Sequence, residues 1–190
     1  MSLYWYAKSA SRLPLVQYLA FYQCLEFYFP RYSHEEAKKK ISRILKHPTF
    51  NVHNDTDLVR LLGAVSSGSG RAFGDEKAQL QATLDACVDA EGLREAISNS
   101  EGADFFKRTT TPSAHKINLA DPHLNICHAV AFRIYDIRCK IVHTKVNEGE
   151  DAMLLPYSKE ADELGHDLGL IEYVAQQVLV NSSEALNLPT

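Results

Sequence analysis

The stretch DPHLNICHAVAFRIYDIRCKIVH, residues 121–143, decides the fold class. At 100° per residue its Cys127, Val130, Ala131, Ile134, Ile137, Ile141 and Val142 fall on one arc, the pattern of a helix that packs its apolar face on other helices. Asp121 followed by Pro122 reads as an N-cap with proline at the first helical position. The pattern therefore predicts a helix from Asp121 to His143 or Thr144.

Working outward, the same periodicity recurs. Leu15, Leu19, Tyr22, Leu25 and Phe29 repeat at steps of three and four, predicting a helix over Pro14–Phe29 that Pro30 ends. Ser33 and Glu36 have capping-box spacing ahead of a helix carrying Ala37, Ile41, Ile44 and Leu45. A third helix is predicted from Thr56, with Leu58, Leu61, Leu62 and Val65, before a break at Ser66–Gly70. A fourth begins near Asp75 with Leu80, Leu84, Cys87 and Val88, and a short piece holds Leu93, Ala96 and Ile97. Residues 98–120 read as an irregular connection pinned by Phe105 and Phe106. After a turn at Asn147–Asp151, a last helix is predicted over Ser158–Ala185, its core face Leu164, Leu168, Ile171, Val174, Ala175 and Val178. No segment alternates as a strand and no repeat appears. The expected fold is all-α: one antiparallel up-and-down bundle of five to six helices over residues 1–190.

Composition agrees with a globular chain. The sequence has 190 residues, 45% of them hydrophobic and 23% charged, with 9 Gly and 7 Pro; that excludes collagen-like, low-complexity and wholly disordered classes. No apolar run reaches the roughly 18–20 residues of a membrane span, and Met1–Tyr6 lacks the h-region of a signal peptide. The reading is a soluble, cytoplasmic chain without a membrane partner. Residues 1–3 are compatible with a cloning scar in front of a domain excised from a longer protein. The formal net charge is -4, so any nucleic-acid role must come from a local site and not from a general basic field. Cys24, Cys87, Cys127 and Cys139 form no CxxC pair, which favours reduced thiols over a disulfide frame or zinc knuckle.

One residue breaks the apolar arc of the 121–143 helix: Arg138, flanked by Ala131, Ile134, Ile141 and Val142. A guanidinium there needs a carboxylate, a phosphate or a partner surface, because an unpaired buried charge costs several kcal/mol. It serves either as a structural ion pair, with Glu26 of the first helix as partner, or as a ligand-binding or catalytic group. His143 lies five positions on, about 140° away on an ideal wheel. Arg133, Arg138, Lys140 and Lys145 against Asp136 make a local basic patch suited to phosphate, and also an ordinary basic helix C-terminus. Tyr135 and Phe132 border it as stacking or packing residues. His123, Cys127 and His128 do not converge, so no metal site is expected, and no HExxH, paired-carboxylate or Walker motif is present.

The stretch Arg133-Ile-Tyr-Asp-Ile-Arg138-Cys-Lys-Ile-Val-His143-Thr-Lys resembles the signature of the HEPN superfamily, an Arg and, four to six residues on, a His at the end of a long helix. The phrase Tyr-Asp-Ile-Arg-x-Lys-Ile-Val-His is similar to the C-terminal HEPN domains of bacterial abortive-infection proteins. The resemblance is sharp over about 15 residues and architectural elsewhere. It implies a helical homodimer whose two Arg/His motifs face each other across a composite cleft, and a metal-independent endoribonuclease, without cofactor, serving as toxin or antiviral effector. Arg138 and His143 match the catalytic positions, and an N-terminal sensor domain is implied in the full-length protein. Cys139 stands where the family usually has a polar residue after the Arg, and no Tyr follows His143 by two positions, as it does in the nucleotidylylated toxin subgroup.

The mechanism so implied has His143 as general base on a ribose 2′-OH, with an ordinary pKa near 6.5 suited to neutral pH. The His143 of the second copy protonates the leaving 5′-oxygen, Arg138 stabilises the phosphorane charge, and a 2′,3′-cyclic phosphate remains. Arg133, Lys140, Lys145 and Tyr135 are the expected RNA-binding residues. Two alternatives stand beside this reading: a non-catalytic HEPN-like module that dimerises or binds a nucleotide or RNA, and a helical interaction domain with an incidental R-x4-H.

Overall fold

The computed structural model describes residues 2–68, 76–99, 102–110, 112–142 and 154–183. Among these the elements are all helical, with no strand, as the periodicity predicts. They are α1 (Ser2–Ser9), α2 (Pro14–Glu26), α3 (Phe29–Leu45), α4 (Asp55–Gly68), α5 (Glu76–Cys87), α6 (Ala90–Ser98), α7 (Ala103–Phe106), α8 (Ile126–Val142), α9 (Lys159–Asp162) and α10 (Gly165–Ser182). None of the helices is long and apolar enough to cross a membrane among the described residues.

Helix α2 lies at the heart of the core. Pro14 occupies its first turn, where the missing N–H costs nothing. Its Tyr18, Phe21, Tyr22 and Leu25 are buried, and so are Ala20 and Cys24 on other sides, because α1, α5, α8 and α10 all pack around it. Each such large side chain contributes roughly 1.5–3 kcal/mol by leaving water. The buried Tyr18 hydroxyl donates to the Ile134 carbonyl at 3.3 Å, tying α2 to α8 and satisfying a polar group that burial would otherwise penalise. Helix α8 adds Ile126, Val130, Ile134 and Ile137 to the same core, with Leu80 and Leu84 of α5 and Ile171, Val174 and Val178 of α10.

Several boundaries differ from the sequence expectation. Pro30 does not end α2; it sits in the first turn of α3, so Ser33 lies inside that helix and caps nothing. Ser66–Gly68 continue α4, and the remainder of the expected break lies outside the described residues. Asp121 accepts a hydrogen bond from the His123 N–H at 2.9 Å, making an Asx turn. Helix α8 starts only after Asn125, whose side chain accepts from the His128 N–H at 3.1 Å. The expected last helix is two: Ser158 caps α9 through the Ala161 N–H, and α10 restarts at Gly165. The expected turn at Asn147–Asp151 lies outside the described residues.

Residues Ser2 and Leu3, read above as part of a scar, belong to α1. The Tyr4 ring lies 5.6 Å from that of Phe21, the Tyr4 hydroxyl donates to Glu172 at 3.1 Å, and Lys8 pairs with the same carboxylate at 2.7 Å. Between α6 and α8 the chain runs as a strap, held as expected by phenylalanines: Phe106 is buried, Phe105 lies 4.8 Å from the His166 ring, and the Ile117 N–H donates to the Phe106 carbonyl at 2.7 Å. Gly102 is required here, because a Cβ would strike the His166 ring.

Candidate functional site

Helix α8 carries Arg138 in its last described turns, and two other helices complete its surroundings. Its Nη2 stands 3.0 Å from Glu76 Oε1 at the start of α5, with 19% of the Arg138 side chain and 24% of Glu76 exposed. The guanidinium lies over the Tyr22 ring of α2 at 5.4 Å, a cation–π contact. The Tyr22 hydroxyl donates to the same Glu76 oxygen at 2.8 Å. One carboxylate oxygen therefore receives both a phenol and a guanidinium. Burial and then the Glu76 contact push the Tyr22 phenol far above its ordinary value. For Arg138, burial acts to lower the pKa, but Glu76, followed by Tyr22 and Cys139, outweighs it and the pKa is raised. The guanidinium is a permanent cation, held at the rim of the bundle.

Arg138 is thus an ion pair, as one sequence reading holds, but its partner is Glu76 and not Glu26. Tyr135 borders it one turn back, half-buried, and burial together with a hydrogen bond to Cys139 pushes its phenol up to about 12. His143 and Lys145 lie outside the described residues, so Arg138 is the one member of the expected catalytic pair that the geometry describes.

Two expected RNA-binding residues point inward. Arg133 has no exposed side-chain surface: Nε and Nη2 donate to Asp167 Oδ1 and Oδ2 at 2.6 and 3.0 Å, Nη2 donates to Thr110 Oγ1 at 3.0 Å and Nη1 to the His115 carbonyl at 2.7 Å. Phe105 and Phe106 each lie 5.2 Å from the guanidinium. With its donors spent inside the fold, Arg133 is a structural residue that fastens α8 to the strap and to α10. Lys140 is 8% exposed and faces Asp136 at 3.7 Å, whose carboxylate also accepts from Ser113 Oγ at 2.6 Å. The basic patch read from the sequence is therefore divided, because Arg133 and Lys140 share one side of α8, turned to the strap, while Arg138 faces α2 and α5.

Among the described residues no group of three or more His, Cys, Asp or Glu side chains converges on a point suited to a metal; His128 instead lies 3.1 Å from Asp85. Cys24, Cys87 and Cys127 are buried free thiols, and Cys139 is half-exposed. No protein-family model matches this chain, and no curated protein or solved structure is similar to it.

What the cluster offers chemically is an oriented guanidinium on an aromatic support, with a partly exposed carboxylate as its counter-ion. Arginine's planar fork suits phosphate oxygens better than a point charge would. Sequence reasoning misses Glu76 and the second role of Tyr22. Glu76 reads simply as an acidic first-turn residue that favours a helix start, and Tyr22 reads as one more position in an apolar stripe.

Proposed function

We propose that this chain is a HEPN-type endoribonuclease domain that cleaves RNA without a metal ion, as the effector part of a larger defence or toxin protein. The observation that carries the reading is Arg138: a guanidinium set by Tyr22 and Glu76 at the rim of α8, five residues before His143 in the R-x4-H spacing. In this reading the domain works as a homodimer, each copy lending one Arg/His pair to a shared cleft. RNA phosphate displaces Glu76 from Arg138. His143 accepts the 2′-OH proton as the 2′-oxygen attacks phosphorus, and the P–O5′ bond breaks with a proton delivered to the leaving oxygen by the second copy's His143. The products are a 2′,3′-cyclic phosphate and a 5′-hydroxyl end. Tyr135, beside Arg138, is the base-stacking candidate.

The test is cleavage of labelled RNA in excess EDTA, with chemical assignment of both product ends. Arg138→Ala and His143→Ala each lower the rate by at least about 100-fold while the circular-dichroism melt stays cooperative. A monomer by light scattering at the assay concentration, or cleavage indifferent to both substitutions, overturns the reading.

A second reading is favoured by the Arg138–Glu76 pair itself, which already neutralises the cation inside one chain. It is a non-catalytic module that dimerises or binds RNA or a nucleotide. It predicts binding sensitive to Arg138→Ala with no cleavage product from the unaltered chain.

A further inference from the structure

Helix α3 carries a charge pattern unlike the rest of the chain. Residues 29–46 hold six Lys and Arg against two Glu, a local net charge of +4 on a chain whose total is -4. All six are exposed, and five of them, Arg31, Lys38, Lys39, Arg43 and Lys46, fall within an arc of about 140° at 100° per residue, over a length of roughly 22 Å at 1.5 Å per residue. The opposite side carries the buried Ala37 and the half-buried Ile41 and Ile44. Glu35 shares the basic arc and is taken by Lys38 at 2.7 Å, while Glu36 lies 3.8 Å from Lys40. Lys39, Arg43 and Lys46 have no carboxylate within salt-bridge distance among the described residues. Cations in the last turn favour the helix dipole, but that accounts for Arg43 and Lys46 and not for the Lys38–Lys40 run.

The head of α3 packs on the aromatic group that supports Arg138. Phe29, at the head of α3, lies 6.0 Å from the Tyr22 ring, the same ring that underlies the Arg138 guanidinium.

We propose that the exposed face of α3 is a docking track for the phosphate backbone of single-stranded RNA. The choice of RNA rests on the reading of the previous subsection; the existence of a polyanion track rests on α3 alone. A lipid surface fits less well, because interfacial helices sink an apolar face below their charges, and the apolar face of α3 is turned into the bundle. A linear row of cations with no built pocket suits a repeating anion, whose affinity comes from released counter-ions. This track supplies a local positive field on a chain whose overall charge is negative.

The test is anisotropy of a fluorescein-labelled 20-nucleotide RNA titrated with the full chain in EDTA, between 0.05 and 0.3 M salt. The triple variant Lys39→Gln/Arg43→Gln/Lys46→Gln is compared with Lys107→Gln/Lys116→Gln/Lys159→Gln, which removes the same net charge from other exposed sites. With a slope near 0.7 per phosphate contact for single strands, the α3 variant is expected to bind about 100-fold more weakly at 0.1 M salt, its log–log salt slope reduced by about 2. The control variant stays near the unaltered chain, and both keep its melting profile. Equal losses in the two variants, an unchanged α3 variant, or no RNA binding by the unaltered chain overturns the proposal, the last two leaving an acidic protein partner to be sought. The two readings fail separately. Binding through α3 without cleavage sinks the nuclease and keeps the track, while cleavage with full affinity in the α3 variant does the reverse.

Discussion

Arg133 and Asp167 meet through two side-by-side hydrogen bonds, 2.6 and 3.0 Å long, at a point where neither side chain has more than 1% of its surface exposed. This is the bidentate geometry in which a buried pair best recovers its desolvation. Burial lifts the Asp167 carboxyl above its ordinary pKa and the Arg133 guanidinium opposes that lift. Thr110 and the His115 carbonyl take further Arg133 donors, so the strap is sewn to α8 by the same group. Asp167→Ala should therefore destabilise the fold by about 3–5 kcal/mol in urea unfolding, because a lone guanidinium remains in the core. The double variant Arg133→Met/Asp167→Leu should recover most of that loss. A single-variant cost below about 1 kcal/mol would show that the pair does not hold the strap.

Glu76 is a different case, since it and Arg138 are both partly exposed and solvent screens their attraction. Glu76→Gln should change stability by no more than about 1 kcal/mol. With the competing carboxylate gone, Arg138 becomes available to a phosphate, so RNA affinity should rise several-fold in the anisotropy assay. A fall in affinity would mean that Glu76 positions the guanidinium and does not restrain it.

Burial pushes the Cys24 and Cys127 thiols from an ordinary value of 9.0 up to about 11. The sign follows from linkage: the unfolded thiols ionise first, so their contribution is complete below pH 9 and is lost as pH rises toward about 11. Unfolding free energy should fall between pH 8 and 10.5, and Cys24→Ala/Cys127→Ala should flatten that fall by on the order of 1 kcal/mol per thiol. An identical slope in the variant would refute the assignment.

Asp89 caps α6, its Oδ2 accepting the Gly92 N–H at 2.7 Å. Asp89→Ala should cost about 1 kcal/mol, and Asp89→Asn much less. Chemical denaturation of the two variants side by side reads the difference.

Periodicity alone locates α2, α5, α6 and α10, because each presents a recurrent apolar face to one core. It misplaces the start of α3, since Pro30 looks the same whether it closes one helix or opens the next. It misplaces the start of α8 for a related reason: Asp121-Pro122 has the chemistry of a cap, yet Asn125 does the capping. The site is harder to read. On the wheel Arg138 stands out among apolar neighbours, but the arginine with no solvent contact is Arg133. Its partners, Asp167 and the strap residues Thr110 and His115, are 34, 23 and 18 positions away. Glu76 is invisible for the same reason, since only the packing of α5 on α8 brings it to Arg138. Helix type is a local property, whereas the pairing of buried charges is a property of topology.

Helix α1 has eight residues, too few to persist alone in water. Its polar anchors are Glu172 and Gln176, the latter donating to the Tyr4 hydroxyl at 2.6 Å. Those anchors stand 168 and 172 positions along the chain from Tyr4, so α1 completes its polar contacts only once α10 has packed, a long-range step in folding.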